Sequence, residues 1–248
     1  MKRIALFAVF ISTSLTVAGP APAQSDGTFA RANKEYGEGQ FKEAIGDYEA
    51  LVKSRQWSAP LFYDLGNAYF RAGDFGRAIL NYERALALDR HQPEAAANLE
   101  LARDEARALE LPRTRPERWF RFGNVDEYAI AAAITFWLGA FSIVFAVFKK
   151  GKTPALGVFS ALTLASCAVL VAAVLLLERG NHGEALAVVT GNNIQARLAT
   201  ADNAGSVLAL APGSEIKVLS KRGDWFYAAL PNELRGWIPA DSAELVRL

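Results

Sequence analysis

Cysteine occurs once in these 248 residues, histidine twice, and neither sign of charge dominates, with 27 basic against 26 acidic side chains. Each scarcity removes a class of function. Cys167 has no partner for an intrachain disulfide, and its place inside an apolar run points to packing rather than redox chemistry. His91 and His182 stand outside any Cys, His or carboxylate spacing that ligates a metal. Balanced charge gives no pull toward nucleic acid. Gly151-Lys152 lacks a phosphate-cradling pattern, and the pairs Glu43/Asp47 and Glu100/Asp104 read as solvated charge on helical faces. No catalytic, cofactor-binding or metal site is expected, and the chain reads as a non-enzyme.

The charges that are present avoid two runs, Ala129–Phe148 and Ala155–Leu177, of 20 and 23 residues. A helix rises about 1.5 Å per residue, so either run spans a hydrocarbon core of about 30 Å. The link 149–154, Lys149-Lys150-Gly151-Lys152-Thr153-Pro154, forces a hairpin, and its three lysines place the turn in the cytoplasm. Lys2 and Arg3, the apolar stretch Ile4–Ala18 and Ala21-Pro22-Ala23 together make residues 1–23 an export signal. Both polar segments are then expected in the periplasm of a bacterium, tethered to its inner membrane. Arg113, Arg115, Arg118 and Arg121, in a juxtamembrane linker over 111–128, oppose that orientation by charge count. With Trp119, Phe120, Phe122 and Tyr128 they form an interfacial belt facing membrane lipid.

The first polar segment, 25–110, repeats with a 34-residue period. Asn33 matches Asn67, Gly39 matches Gly73, and Phe41 matches Phe75; Ala44, Ile45 and Tyr48 match Ala78, Ile79 and Tyr82. Small residues let paired helices approach, aromatics fill the remaining volume, and Pro93 opens a capping helix with Ala96, Leu99 and Ala106 as its apolar strip. The spacing resembles the tetratricopeptide repeat, whose first helix lines a peptide-binding groove. That resemblance places candidate groove residues at Phe29, Asn33, Tyr63, Asn67 and Leu101. Asn33 and Asn67 suit either a partner backbone or a bridge between neighbouring helices.

After the second span, 178–248 changes to short strands punctuated by Pro212-Gly213, Arg222-Gly223-Asp224 and Pro231-Asn232. The order of Arg197, Ile216-Lys217-Val218, Gly223-Asp224-Trp225 and Gly236-Trp237-Ile238 resembles a bacterial SH3-like domain. A small closed β-barrel is expected, with Trp225, Tyr227 and Trp237 as either a ligand surface or core. The fold class is therefore a multidomain membrane protein: helical tetratricopeptide repeats, a transmembrane hairpin (129–148 and 155–177), and an SH3-like barrel.

This order of modules resembles the Bacteroides-aerotolerance-type (BatE-like) repeat proteins. The resemblance implies an envelope scaffold tied to stress tolerance, with von Willebrand-type inner-membrane proteins and a MoxR-type ATPase as partners. The alternative reading is a peptidoglycan-binding or cell-wall-sensing protein acting through the SH3-like domain.

Overall fold

The computed structural model describes residues 22–120, 122–149 and 154–248. The export-like start and the centre of the basic turn lie largely outside these residues.

Five helices come first: α1 (Pro22–Gly37), α2 (Phe41–Lys53), α3 (Ala59–Arg71), α4 (Phe75–Leu88) and α5 (Pro93–Ala106). The 34-residue period recurs as bonding. Tyr48 Oη donates to Asn33 Oδ1 at 2.5 Å, and Tyr82 Oη donates to Asn67 Oδ1 at 2.8 Å. Tyr36 meets Phe41 edge-on at 5.5 Å between ring centroids, as Phe70 meets Phe75 at 5.4 Å. Each pair turns on a glycine in the left-handed region, Gly39 at φ 81° and Gly73 at φ 83°, where a Cβ is costly. Ser58 and Asp74 accept the first free N–H groups of α3 and α4. The cap α5 buries Leu99 and packs Ala106 against the core, as the strip suggests, but it buries Ala95 and Ala102 and leaves Ala96 exposed.

A short helix, α6 (Arg115–Trp119), leads into α7 (Val125–Phe148) and α8 (Pro154–Glu178). Both long helices are apolar and long enough to cross a membrane, with mean hydropathies of 2.2 and 2.5. The first begins a turn before the uncharged run, because Asn124 N–H donates to Glu127 at 2.9 Å and holds the helix start. Gly139 lies against Thr163 and Leu164, and the Ser142 and Ser160 hydroxyls meet at 2.6 Å. These small residues set the close approach of the two helices.

The C-terminal strands are β1 (Leu186–Val189), β2 (Ile194–Arg197), β3 (Ser206–Leu210), β4 (Glu215–Arg222), β5 (Trp225–Ala229), β6 (Arg235–Pro239) and β7 (Ala243–Leu245). They form one sheet in the order β3-β2-β6-β5-β4-β1-β7. β3 and β7 stand at opposite ends and do not pair, so the sheet is open, and the expected closed SH3-like barrel is not formed. The strands and turns fall where the pattern puts them, but short strands and turn residues say nothing about whether the last edge meets the first. Here the β7 edge is engaged elsewhere: the Leu245 carbonyl accepts from Arg84 of α4 at 2.9 Å.

One strand carries both cores. β1 is buried along its whole length. Its Ala187 and Val189 join the core of the sheet with Ile216, Ala228 and Ile238. Leu186 and Val188 point the other way and, with Val246, enter the core of the helical repeats beside Ile79 and Leu111. The helical unit and the sheet thus share one apolar interior.

Candidate functional site

Three places in the fold gather the candidate residues. The first is the repeat groove. Asn67 and Leu101 line a cavity of about 160 Å³ with Tyr36, Phe70, Arg71, Tyr82 and Asn98. Phe29, Asn33 and Tyr63 lie outside it. Phe29 packs on Tyr48 at 5.9 Å between centroids, and Tyr63 lies beside Tyr82 at 6.2 Å. Both asparagines act as bridges: Asn33 holds Tyr48, while Asn67 accepts from Tyr82 and from Asn98 Nδ2 at 2.9 Å. The cavity combines the apolar surface of Phe70 and a half-exposed Leu101 with the Asn67–Asn98–Tyr82 hydrogen bonds, and the Arg71 guanidinium stacks 4.8 Å above Phe41. Tyr36, Phe70, Arg71 and Asn98 were not singled out by the sequence. The equivalence of positions 36 and 70 in the period was the signal that could have found two of them.

The second place is the aromatic row on the sheet. Tyr227 and Trp237 are register partners on β5 and β6, with ring centroids 5.0 Å apart. Trp225 lies two residues before Tyr227 and shares its face, while Phe226, Ala228 and Ile238 supply the core from the opposite face. All three candidate rings are half-buried. Their description as an SH3-like surface does not survive the open sheet, and they stand as a row on its outer face.

The third place surrounds His182, which no local spacing in the sequence pairs with a carboxylate. It is the seam where α4, α5, α6, the end of α8 and the start of β4 converge. The linker after α5 pairs with the start of β4: Glu215 N–H donates to the Leu109 carbonyl at 2.8 Å, and Leu109 N–H donates to Ser214 Oγ at 3.1 Å. Leu111 N–H donates to Glu215 Oε2 at 2.9 Å. Arg103 Nη2 donates to Glu83 Oε1 at 2.5 Å and also to Glu215 Oε1, joining the helical unit to the sheet. The His182 ring lies between two carboxylates, with Nε2 3.3 Å from Glu215 Oε2 and Nδ1 3.6 Å from Glu117 Oε1. Glu117 also accepts from His182 N–H at 2.7 Å and from Thr114 N–H at 2.6 Å. Across the same seam, Arg84 Nη2 reaches Glu244 at 3.2 Å.

Protonation follows from these contacts. Burial alone lowers the affinity of His182 for a proton, but Glu117 and Glu215 outweigh it and raise the pKa to about 9. Burial raises the Glu117 pKa, yet contacts with His182 and Thr114 bring it down to about 2. Glu215, wholly buried, is likewise pushed up by burial and held below the usual range by His182 and Arg103. Burial moves Glu83 up to about 7 against the pull of Arg103. A histidine with converging carboxylates is where a catalytic reading would start. The raised pKa favours the protonated ring between Glu117 and Glu215 at neutral pH. Among the described residues no group of three or more His, Cys, Asp or Glu side chains is placed to hold a metal.

The tetratricopeptide repeat family model matches residues 59–92, which contain α3 and α4. No curated protein matches the chain. The match is to a single partial repeat, and the helical region resembles tetratricopeptide-like helix pairs. With the open sheet, this overturns the resemblance to BatE-like proteins, whose order of modules required an SH3-like domain at the end. The inner-membrane and periplasmic placement loses that support, and the described residues show two helices of spanning length and apolarity.

Proposed function

We propose that this chain is a non-enzymatic, membrane-anchored protein-interaction scaffold, with α7 and α8 as its anchor and the repeat groove as its docking site. The observation that carries the reading is the cavity lined by Tyr36, Phe70 and Leu101 together with Arg71, Asn67 and Asn98. Such a site suits an extended segment of a partner that inserts one apolar side chain and turns its backbone toward the amide. The seam supports the anchor. Arg103, Glu215 and His182 fasten both polar modules to each other beside the start of α7 and the end of α8. A hairpin delivers both of its ends to one membrane face, and the modules then meet there.

The test is crosslinking with mass spectrometry in native membranes, comparing the natural chain with Leu101→Glu. Reproducible partner contacts through α3 and α5 that disappear in the variant support the scaffold. Absence of any contact at the groove in the natural chain sinks it. The cell-wall reading rested on the SH3-like barrel and loses its basis with the open sheet.

A further inference from the structure

Asp64 is the single carboxylate of α3, and among the described residues no hydrogen bond or ion pair reaches it. It is half-buried, and burial alone pushes its pKa up to about 6. Neither oxygen is sealed off, so a group arriving from outside can touch them. A partly desolvated carboxylate costs the fold free energy until a cation or donor answers it. Its place in the repeat joins it to the groove. Helical spacing puts residue 64 on the same face of α3 as Asn67 and Arg71, which line the cavity of about 160 Å³. Toward α1, Asp64 is within electrostatic reach of Tyr48, whose hydroxyl is made less acidic by burial first and by Asp64 next. Tyr48 is the donor to Asn33, so the carboxylate belongs to the wall that runs from that bridge to the cavity.

The neighbouring charges do not answer Asp64. Residues 27–37 of α1, with α3 and α5, carry six carboxylates, one on α1, one on α3 and four on α5. Against them stand four cations, Arg31, Lys34, Arg71 and Arg103. Three of these are held by carboxylates outside the three helices: Arg31 by Asp47, Lys34 by Glu38 at 3.7 Å, and Arg103 by Glu83 and Glu215. The fourth, Arg71, is two helical turns beyond Asp64 and lies over the Phe41 ring. On α5, Glu94 and Glu105 stand four residues before Asn98 and four after Leu101, on the face those two present to the cavity. The wall of the groove is therefore short of positive charge.

We infer that the groove docks a basic segment of a partner protein, with a Lys or Arg side chain at Asp64 and a neighbouring apolar side chain in the cavity beside Leu101. The inference rests on the reading of the groove as a docking site and adds the charge of what docks. The arriving cation returns to Asp64 the hydrogen bonds that burial has taken from it. An acidic segment meets like charge from Asp64 and from α5, so the groove selects by sign as well as by shape.

The experiment pans a random library of short displayed peptides on the full chain in detergent, with Asp64→Asn and Leu101→Glu in parallel. Peptides kept by the natural chain should share one Lys or Arg at a fixed spacing from an apolar residue. For a synthetic copy of the most enriched peptide, Asp64→Asn should weaken binding about tenfold or more, the loss of one charged hydrogen bond. Replacing the peptide's base by methionine should do the same. Thermal unfolding separates docking from a structural role. Asp64→Asn removes an unanswered charge, so Tm should hold or rise; a fall would show the carboxylate bonded within the fold and would overturn the inference. Peptides without a base, lost in Leu101→Glu but kept in Asp64→Asn, would refute the basic partner and leave the groove. No retained peptide, or retention that neither variant changes, would refute both.

Discussion

Glu215→Gln is the sharpest perturbation of the seam. The carboxylate has no exposed surface and serves three groups at once: Arg103, the His182 ring and the Leu111 N–H. Glutamine keeps the shape and an acceptor for Leu111 but removes the charge that balances Arg103 and His182. Removing one partner of a buried ion pair costs about 3–5 kcal/mol. Arg103 retains Glu83 and Glu110, and His182 retains Glu117, so the lower end applies, about 3 kcal/mol. For a domain of this size each kcal/mol lowers Tm by roughly 2–4 °C, so a fall of about 6–12 °C is expected. The assay is thermal unfolding of the full chain in detergent, joined to amide hydrogen exchange. The amides of Leu109, Leu111 and Glu215 should lose protection together, because they bond across the seam. The double variant Arg103→Met with Glu215→Leu should lose more still, because Glu83 is left without Arg103 and the Leu111 N–H without its acceptor. A Tm within about 1 °C of the natural chain, with Leu111 still protected, would refute the reasoning, because such a shift is well under 1 kcal/mol.

The remaining predictions concern pH and the docked turn. His182 has its pKa raised from 6.5 to about 9 in the fold, so its contribution is complete below 6.5 and is lost as pH rises through about 9. Melting temperature against pH should show that alkaline decline, and His182→Gln should flatten it; an unchanged profile in the variant would contradict the assignment. Glu117 acts in the other sense: its pKa falls from 4.5 to about 2, so its contribution is present above 4.5 and disappears as pH falls through about 2. Gly213 has φ 86° and presses on Ile79 of the helical core, leaving no room for a Cβ. Gly213→Val should therefore destabilise by about 2 kcal/mol or more, read in the same melt, whereas a neutral result would mean that the turn is not docked.

The sequence made the repetitive parts of this fold legible and hid the parts that depend on distance along the chain. Positions 34 apart carry the same bonds, Asn33–Tyr48 and Asn67–Tyr82, so the period gives the equivalence of the two pairs while the packing decides that both asparagines bridge helices. The two apolar runs announce themselves by length. Closure of the sheet did not follow, because it depends on what meets β7 beyond its pairing with β1, and what meets it is Arg84, 161 residues before Leu245 in the chain. The same holds for the seam. Glu83, Arg103, Glu117, His182 and Glu215 share no local spacing, and each alone resembles a solvated charge. His182 looked isolated because its carboxylates come from α6 and β4. On α5 Leu99 and Ala106 face the core as suggested, but Ala95 takes the place of Ala96, because the two are indistinguishable by type and only packing against Phe62 and Ala85 selects between them.

The central claim is that the helical repeats and the open sheet form one body, fastened by a shared apolar core and the Arg103–Glu215–His182 cluster. A single distance measurement tests it. With Cys167 replaced by alanine, spin labels at Glu43→Cys on α2 and Asp224→Cys in the β4–β5 turn report across the seam without touching it. Double electron–electron resonance on the full chain should give one narrow distance distribution, which broadens when Glu215→Gln is added. A broad or multimodal distribution in the otherwise natural chain would show two modules moving independently on their hairpin and would contradict the account.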